Sequence, residues 1–128
     1  MHAAAVSTKI VERERRGRAA EALAARYLEA RGLSVIAMNF RCRGGELDLV
    51  CRDDEHLVVV EVRQRSTRNF GGAIASIDAG KRRRLRRATA YFLLVNRRWH
   101  GRRVRFDVVA IDGPPEADPE IAWIRAAF

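Results

Sequence analysis

The sequence predicts an α/β domain, a mixed β-sheet flanked by helices with elements in the order α-β-β-β-α-β. Three patterns lead there. An early stretch carries apolar residues at helical spacing, two short apolar segments flank a polar turn, and a later amphipathic stretch precedes one more apolar segment.

Residues from about Ser7 to Arg31 read as the first helix, with Leu23, Ala24, Tyr27 and Leu28 forming its apolar stripe and Gly32 its stop. Within it, residues 1–16 read as an N-terminal extension prone to fraying, and 17–128 as a single domain. Three strands are expected next, at Leu33–Met38, Glu46–Cys51 and Leu57–Arg63. The polar cluster Asp53–His56 turns the second into the third. Ile74–Val95 reads as one helix, with Leu85, Ala88, Phe92 and Val95 on its buried face and arginines around the rest. Val104–Ile111 reads as the last strand, closed by Asp112-Gly113-Pro114-Pro115, and the remainder as a short tail carrying Trp123 and Phe128.

Composition excludes several classes. No apolar run approaches the ~20 residues of a membrane helix. The start lacks a long apolar core ahead of a cleavage site, so a secretory signal is not expected. Cys42 and Cys51 supply neither a disulfide framework nor zinc spacing, which fits two reduced thiols in a cytoplasmic protein. His2, His56 and His100 are isolated, and the Gly44-Gly45 and Gly71-Gly72 pairs fit turns or close backbone approach rather than a nucleotide-phosphate loop.

The net charge is +9 and unevenly spread. Lys81–Arg105 holds eleven basic residues and no acid, so the rest of the chain is slightly acidic. Such clustering is the footprint of a phosphate-binding surface. The candidate contacts are Arg65, Lys81, Arg82, Arg83, Arg86, Arg87, Arg97 and Arg98, and nucleic acid is the expected partner. Tyr91, Phe92 and Trp99 lie among these arginines as possible base-stacking rings. Phe92 is expected in the core and Trp99 at the surface.

The hairpin carries the chemistry. A four-residue loop, Asp53–His56, puts Arg52 opposite Leu57, and therefore Asp48 opposite Glu61 and Glu46 opposite Arg63. Directly opposed residues share a face with Cβ atoms about 4.5–5.5 Å apart. Two carboxylates so close repel, and burial beside Val58, Val59 and Val60 adds a desolvation cost that a bound divalent cation removes. The alternative is a salt-bridge cluster in which Arg63 or Arg65 neutralises one acid. The metal reading needs Asp48, Glu61 and Arg63 to converge on one open cleft, and an Asp48 facing the opposite side of the sheet from Glu61 would count against it. Glu21 lies at the edge of the first helix's buried face and is a third candidate acid.

These residues resemble the PD-(D/E)xK nuclease signature, an acid in one strand followed by acid-x-Lys in the next, here Asp48 and Glu61-Val62-Arg63. Around them Gly17-Arg18-Ala19-Ala20-Glu21, Asn39-Phe40-Arg41, Gly44-Gly45-Glu46-Leu47-Asp48-Leu49, Lys81, Arg105-Phe106-Asp107-Val108-Val109 and Trp123-Ile124 are similar to the YraN-like family of small bacterial proteins. The resemblance extends over nearly everything from Gly17 onward. It implies a restriction-endonuclease-like core with Glu21, Asp48 and Glu61 as metal-associated acids, a Mg²⁺ or Mn²⁺ cofactor, and hydrolysis of phosphodiester bonds in DNA. It also implies that the Val62 carbonyl joins the metal ligands. Arg63 stands where the superfamily usually has Lys. It suits stabilisation of a charged phosphate and not proton acceptance, since its pKa stays above about 12. Lys81 is the candidate for the missing ammonium. One site per small domain would cut two strands as a homodimer or in successive events, which suits branched or nicked DNA. A catalytically inactive nucleic-acid-binding module of the same fold and an adaptor for an acidic protein are the alternatives.

Overall fold

The computed structural model describes the backbone of residues 2–65 and 70–128, and side chains within residues 8–65 and 72–128. The elements are α1 (His2–Glu29), β1 (Ser34–Cys42), β2 (Gly45–Arg52), β3 (His56–Arg65), α2 (Phe70–Ala75), α3 (Ala79–Val95), a 3₁₀ turn (Arg97–Trp99), β4 (Arg103–Asp112) and β5 (Glu120–Ile124). One five-stranded sheet has the sequential order β1-β2-β3-β4-β5. Only β3 and β4 are parallel, as expected where a helical crossover joins them. The mixed sheet flanked by helices is the architecture predicted above.

Strand alternation sorts the core into two layers. Leu49, Cys51, Val58, Val60, Val109 and Ile111 face α1, where Ala20, Ala24, Ala25 and Leu28 meet them. Val50, Leu57, Val59, Val108 and Ala110 face the other helices, meeting Ala73, Ile77, Leu85, Ala88 and Phe92. β3 is covered on both faces, which explains its unbroken valine run. Each fully buried valine of that run contributes about 1.5–3 kcal/mol.

Local chemistry explains the boundaries. α1 stops where the sequence expects: Gly32 has φ +99°, and Leu33 N–H donates to Leu28 O at 3.1 Å to close the last turn. The expected single helix Ile74–Val95 is broken in two. Asp78 caps α3 by accepting from Lys81 N–H, and Ser76 Oγ donates to Ala73 O at the end of α2. Thr89 takes the buried position assigned to Val95, which is exposed. Its hydroxyl donates to Leu85 O at 2.7 Å, so burial leaves no unpaired group. Gly71-Gly72 belong to α2 rather than to a turn. The tail is not structureless: β5 pairs with β4 through Val109↔Trp123 and its neighbours.

The β2–β3 register is the predicted one, running from Arg52↔Leu57 to Leu49↔Val60. The loop is one residue shorter than expected because His56 already belongs to β3. Asp53 Oδ1 accepts from the N–H groups of Glu55 and His56, at 2.8 and 2.6 Å, and fixes that turn. Among the described residues, no helix is long and apolar enough to cross a membrane.

Candidate acidic site

Past Leu49↔Val60 the backbone ladder between β2 and β3 gives way to side chains. Val62 N–H donates to Asp48 Oδ2 at 3.0 Å, and Asp48 N–H approaches Glu61 Oε2 at 3.4 Å. Two carboxylates thus occupy positions that strand carbonyls would otherwise take. Asp48 and Glu61 are adjacent, as the hairpin register requires. Glu46 is not opposite Arg63. It pairs with Arg41 of β1, with an ion pair at 3.5 Å, because β3 no longer runs beside it.

The expectation of one shared face needs correcting. Asp48 opens on the α1 side, against Glu21, whereas Glu61 is wholly buried on the side of α3. A cleft of about 510 Å³ is lined by Glu21, Asp48, Val62, Arg63 and Gln64, with Arg13 and Arg16 of α1 on its rim. Glu61 does not line it. Asp48, Glu21 and Arg63 therefore converge on the opening, whereas Glu61 does not join them there and meets only Asp48 and Arg63 from within the sheet.

The electrostatics of the acids follow from this packing. Burial and the neighbouring Asp48 push the Glu61 carboxyl up to about 7, although Lys81 and Arg63 oppose the shift. Lys81 Nζ stands 3.4 Å and Arg63 Nη2 3.6 Å from Glu61 Oε1. That oxygen is buried and has no hydrogen-bond partner among the described residues. Glu21 is raised to about 8, first by burial, then by the charge of Asp48 and a hydrogen bond between the two carboxyls. The Asn39 side chain also bonds Glu21. Asn39 has φ +52° and lies between the pairs Met38↔Leu49 and Phe40↔Leu47, level with Asp48. The sequence reading counted it only within the Asn39-Phe40-Arg41 match and gave it no role in the site.

Asp48 and Glu61 do not open on one cleft, as the metal reading requires, yet they stay side by side and keep features that suit a divalent cation. The pair is crowded, both neighbours of Asp48 are pushed toward protonation, and one Glu61 oxygen lacks a donor. Among the described residues no group of three His, Cys, Asp or Glu side chains is arranged to hold an ion. A metal there would rest on two carboxylates, the number Mg²⁺ commonly takes alongside water and substrate phosphate. Glu21 reaches Asp48 and has no such direct contact with Glu61.

The basic candidates divide. Lys81 joins the acids. Arg63 is held in place by Ser76 Oγ at 3.1 Å and the Val62 carbonyl at 3.4 Å. Arg82 is part of the fold, donating to Ile77 O at 3.0 Å and lying 5.1 Å from the Phe128 ring. Arg65, Arg83, Arg86, Arg87, Arg97 and Arg98 are exposed. Phe92 is in the core as expected, but Trp99 is not an open platform. It is half-buried, with Arg52, Arg98 and Arg102 all within 5.8 Å of its ring. Arg13 and Arg16, eight and five residues before Glu21 on α1, were outside the expected surface.

Comparison with known proteins agrees on one family. The model of the Uncharacterised protein family UPF0102 matches residues 20–111. A UPF0102 protein of Dechloromonas aromatica (strain RCB) is 54% identical over 113 residues, covering 88% of each chain. One from Pseudomonas putida is 46% identical over 114 residues, 89% of this chain and 93% of its own. A Legionella pneumophila relative is 41% identical over 115 residues, 90% of this chain and 95% of its own.

Proposed function

The chain belongs to the UPF0102 family, the YraN-like family its motifs resemble, and we propose that this member is a divalent-metal-dependent nuclease that hydrolyses phosphodiester bonds in DNA. The observation that carries the reading is the Asp48–Glu61 contact at the splayed end of β2 and β3. There a buried carboxylate oxygen with no hydrogen-bond donor among the described residues lies within 3.6 Å of Lys81 and Arg63, next to a basic-rimmed cleft. On this reading the sheet and its helices are a restriction-endonuclease-like core, and Asp48, Glu61, Val62 and Arg63 are its PD-(D/E)xK signature.

Asp48 and Glu61 would hold Mg²⁺ or Mn²⁺, with the Val62 carbonyl at the same rim. When bound, the ion supplies Lewis-acid polarisation of the phosphodiester and a more acidic attacking water. Arg63, fixed by Ser76, is placed to bind the charge that builds on the phosphate, a role its planar donors suit. Lys81 favours the ionised form of Glu61 against the effect of burial and supplies the ammonium that Arg63 does not. Glu21 retains a proton against Asp48 until the site is charged, and then orients water. Arg13 and Arg16 receive the DNA backbone at the cleft mouth. The protein would act in the cytoplasm, as a homodimer or by successive cuts where both strands are broken.

One observation favours a second reading, the binding module without cleavage. Lys81 and Arg63 already place two cations by Glu61, so the acids are partly neutralised without a metal. Incubation with branched, nicked and single-stranded DNA, with Mg²⁺ and Mn²⁺ compared, separates the two. The nuclease reading expects metal-dependent products from at least one substrate and their loss in Asp48→Asn. Products that persist in Asp48→Asn, or none from any substrate with either metal, would overturn it.

A further inference from the structure

Beyond the acidic site, a second basic cleft lies on the outer side of the β1–β2 turn. It has a volume of about 690 Å³ and is lined by Arg41, Cys42, Arg43, Gly44, Arg87 and Tyr91, with no acid among them. It shares no lining residue with the acidic cleft, and a smaller cleft lies between the two. Gly17 and Glu21 line both the acidic cleft and an intermediate one of about 280 Å³, and Arg41 lines both the intermediate and the outer cleft. The intermediate stretch is mixed in charge, with Glu14, Glu21 and Glu46 facing Arg18 and Arg41. The outer cleft alone is purely basic.

Its walls are built. Tyr91 is 46% exposed on α3, yet its ring is backed by Phe40 at 6.1 Å, and Phe40 meets Phe92 edge-on at 5.1 Å. That is a supported ring with an open surface. The Arg87 stem lies so close over Gly44 that an added Cβ there would stand 2.7 Å from its Cδ. Gly44 is therefore the residue type that lets the guanidinium lie across the turn. Arg43 is exposed beside it, and Arg41 is largely exposed despite its pair with Glu46.

We propose that this cleft binds an unpaired nucleotide of the DNA strand that enters the acidic site, its base stacked on Tyr91 and its phosphates held by Arg43 and Arg87. This rests on the nuclease reading for its choice of partner. An open aromatic face recognises a base only when the base is unstacked, as in a single strand, flap or gap, because in a duplex both base faces are covered. Guanidiniums around that ring supply backbone contacts. The substrate class is thus DNA with a single-stranded segment next to the cut.

The test is equilibrium binding of the full chain to a fluorescein-labelled single-stranded 12-mer by anisotropy, in EDTA so that cleavage cannot interfere. Tyr91→Ala is expected to weaken binding roughly 5- to 100-fold, in line with stacking of one base. Tyr91→Phe keeps the ring and should stay within about twofold, and Arg43→Ala and Arg87→Ala should each weaken binding and reduce its salt dependence. A 12-mer with abasic positions should bind wild type and Tyr91→Ala alike. Wild-type affinity in Tyr91→Ala overturns the proposal even if the protein cleaves DNA, as does the absence of any wild-type binding. Tyr91-dependent binding with no cleavage in Mg²⁺ or Mn²⁺ supports the cleft while removing the nuclease reading. All three side chains tested are solvent-accessible, so unchanged circular dichroism and thermal midpoint will verify the folds compared.

Discussion

Glu61 and Asp107 are both fully buried carboxylates, on adjacent strands and one position apart, since Glu61 pairs with Val108 and Asp107 with Val60. Their surroundings could hardly differ more. Asp107 accepts from Arg105 Nε and Nη2, Trp123 Nε1 and Ala126 N–H, each at 2.9 Å. Those bonds tie β5 and the C-terminal residues to β4, and Arg105 reaches on to Asp53 at 3.4 Å in the β2–β3 turn. Glu61 has Asp48 for a neighbour, two cations beyond ordinary hydrogen-bond length, and one oxygen with no hydrogen-bond partner among the described residues. A saturated buried acid belongs to the fold. An acid short of a donor, offset by two cations next to an open cleft, is the kind of buried group the proposed function draws on.

The largest effect should come from breaking the saturated acid. Asp107→Ala strands Arg105 and two further donors, and is expected to cost about 3–5 kcal/mol in urea-induced unfolding. A loss under about 1 kcal/mol would remove the contrast altogether.

Next in size is the dependence on pH. Glu61 binds its proton more tightly folded, at about 7, than at its ordinary value of 4.5. The folded state therefore holds more protons between those values. Its contribution to stability is whole below pH 4.5 and declines as pH rises toward 7, by on the order of 2 kcal/mol in metal-free protein. Glu21, raised to about 8, extends the decline upward, though its partial exposure makes its share smaller. Thermal unfolding from pH 5 to 8 in EDTA should show the fall, Glu61→Gln should reduce it, and Mn²⁺ should flatten it. Stability that climbs over this range would mean Glu61 is an ordinary ion-paired acid like its neighbour.

A smaller change sharpens the Asp107 side. Trp123→Phe removes one of four donors and keeps most of the ring, so about 1 kcal/mol should be lost. The smallest effect should be that of Lys81→Met. It removes a cation that lowers the Glu61 value, so the pH-dependent decline should move to higher pH with little change in stability at pH 5. A shift to lower pH would show that Lys81 does not act on Glu61.

How far the site could be read in advance depended on distance along the chain. The pairing of Asp48 with Glu61 was legible because a short turn and a period of two set a hairpin register locally, and both are written in adjacent residues. The face of each carboxylate was not. Strand parity assumes a regular ladder, and here the ladder yields to the carboxylates themselves. The break at Asp78 was hidden because apolar spacing on both sides continued a helical pattern, while a single capping side chain decided the boundary. β5 was overlooked because five residues beyond three prolines look like a tail, and the bond from Trp123 to Asp107 that anchors it spans sixteen positions.

By itself the sequence determined the α/β class, the hairpin that brings two acids together, and membership of one family, all of which follow from local pattern and motif order. Only the tertiary structure decided which of those acids opens to solvent. It also placed Arg13 and Arg16 at the cleft, Lys81 against Glu61, and Tyr91 on a cleft of its own. The physical reason is that both helices reach the sheet from far along the chain. Where their side chains land is set by packing on either face of β3, which no local pattern encodes.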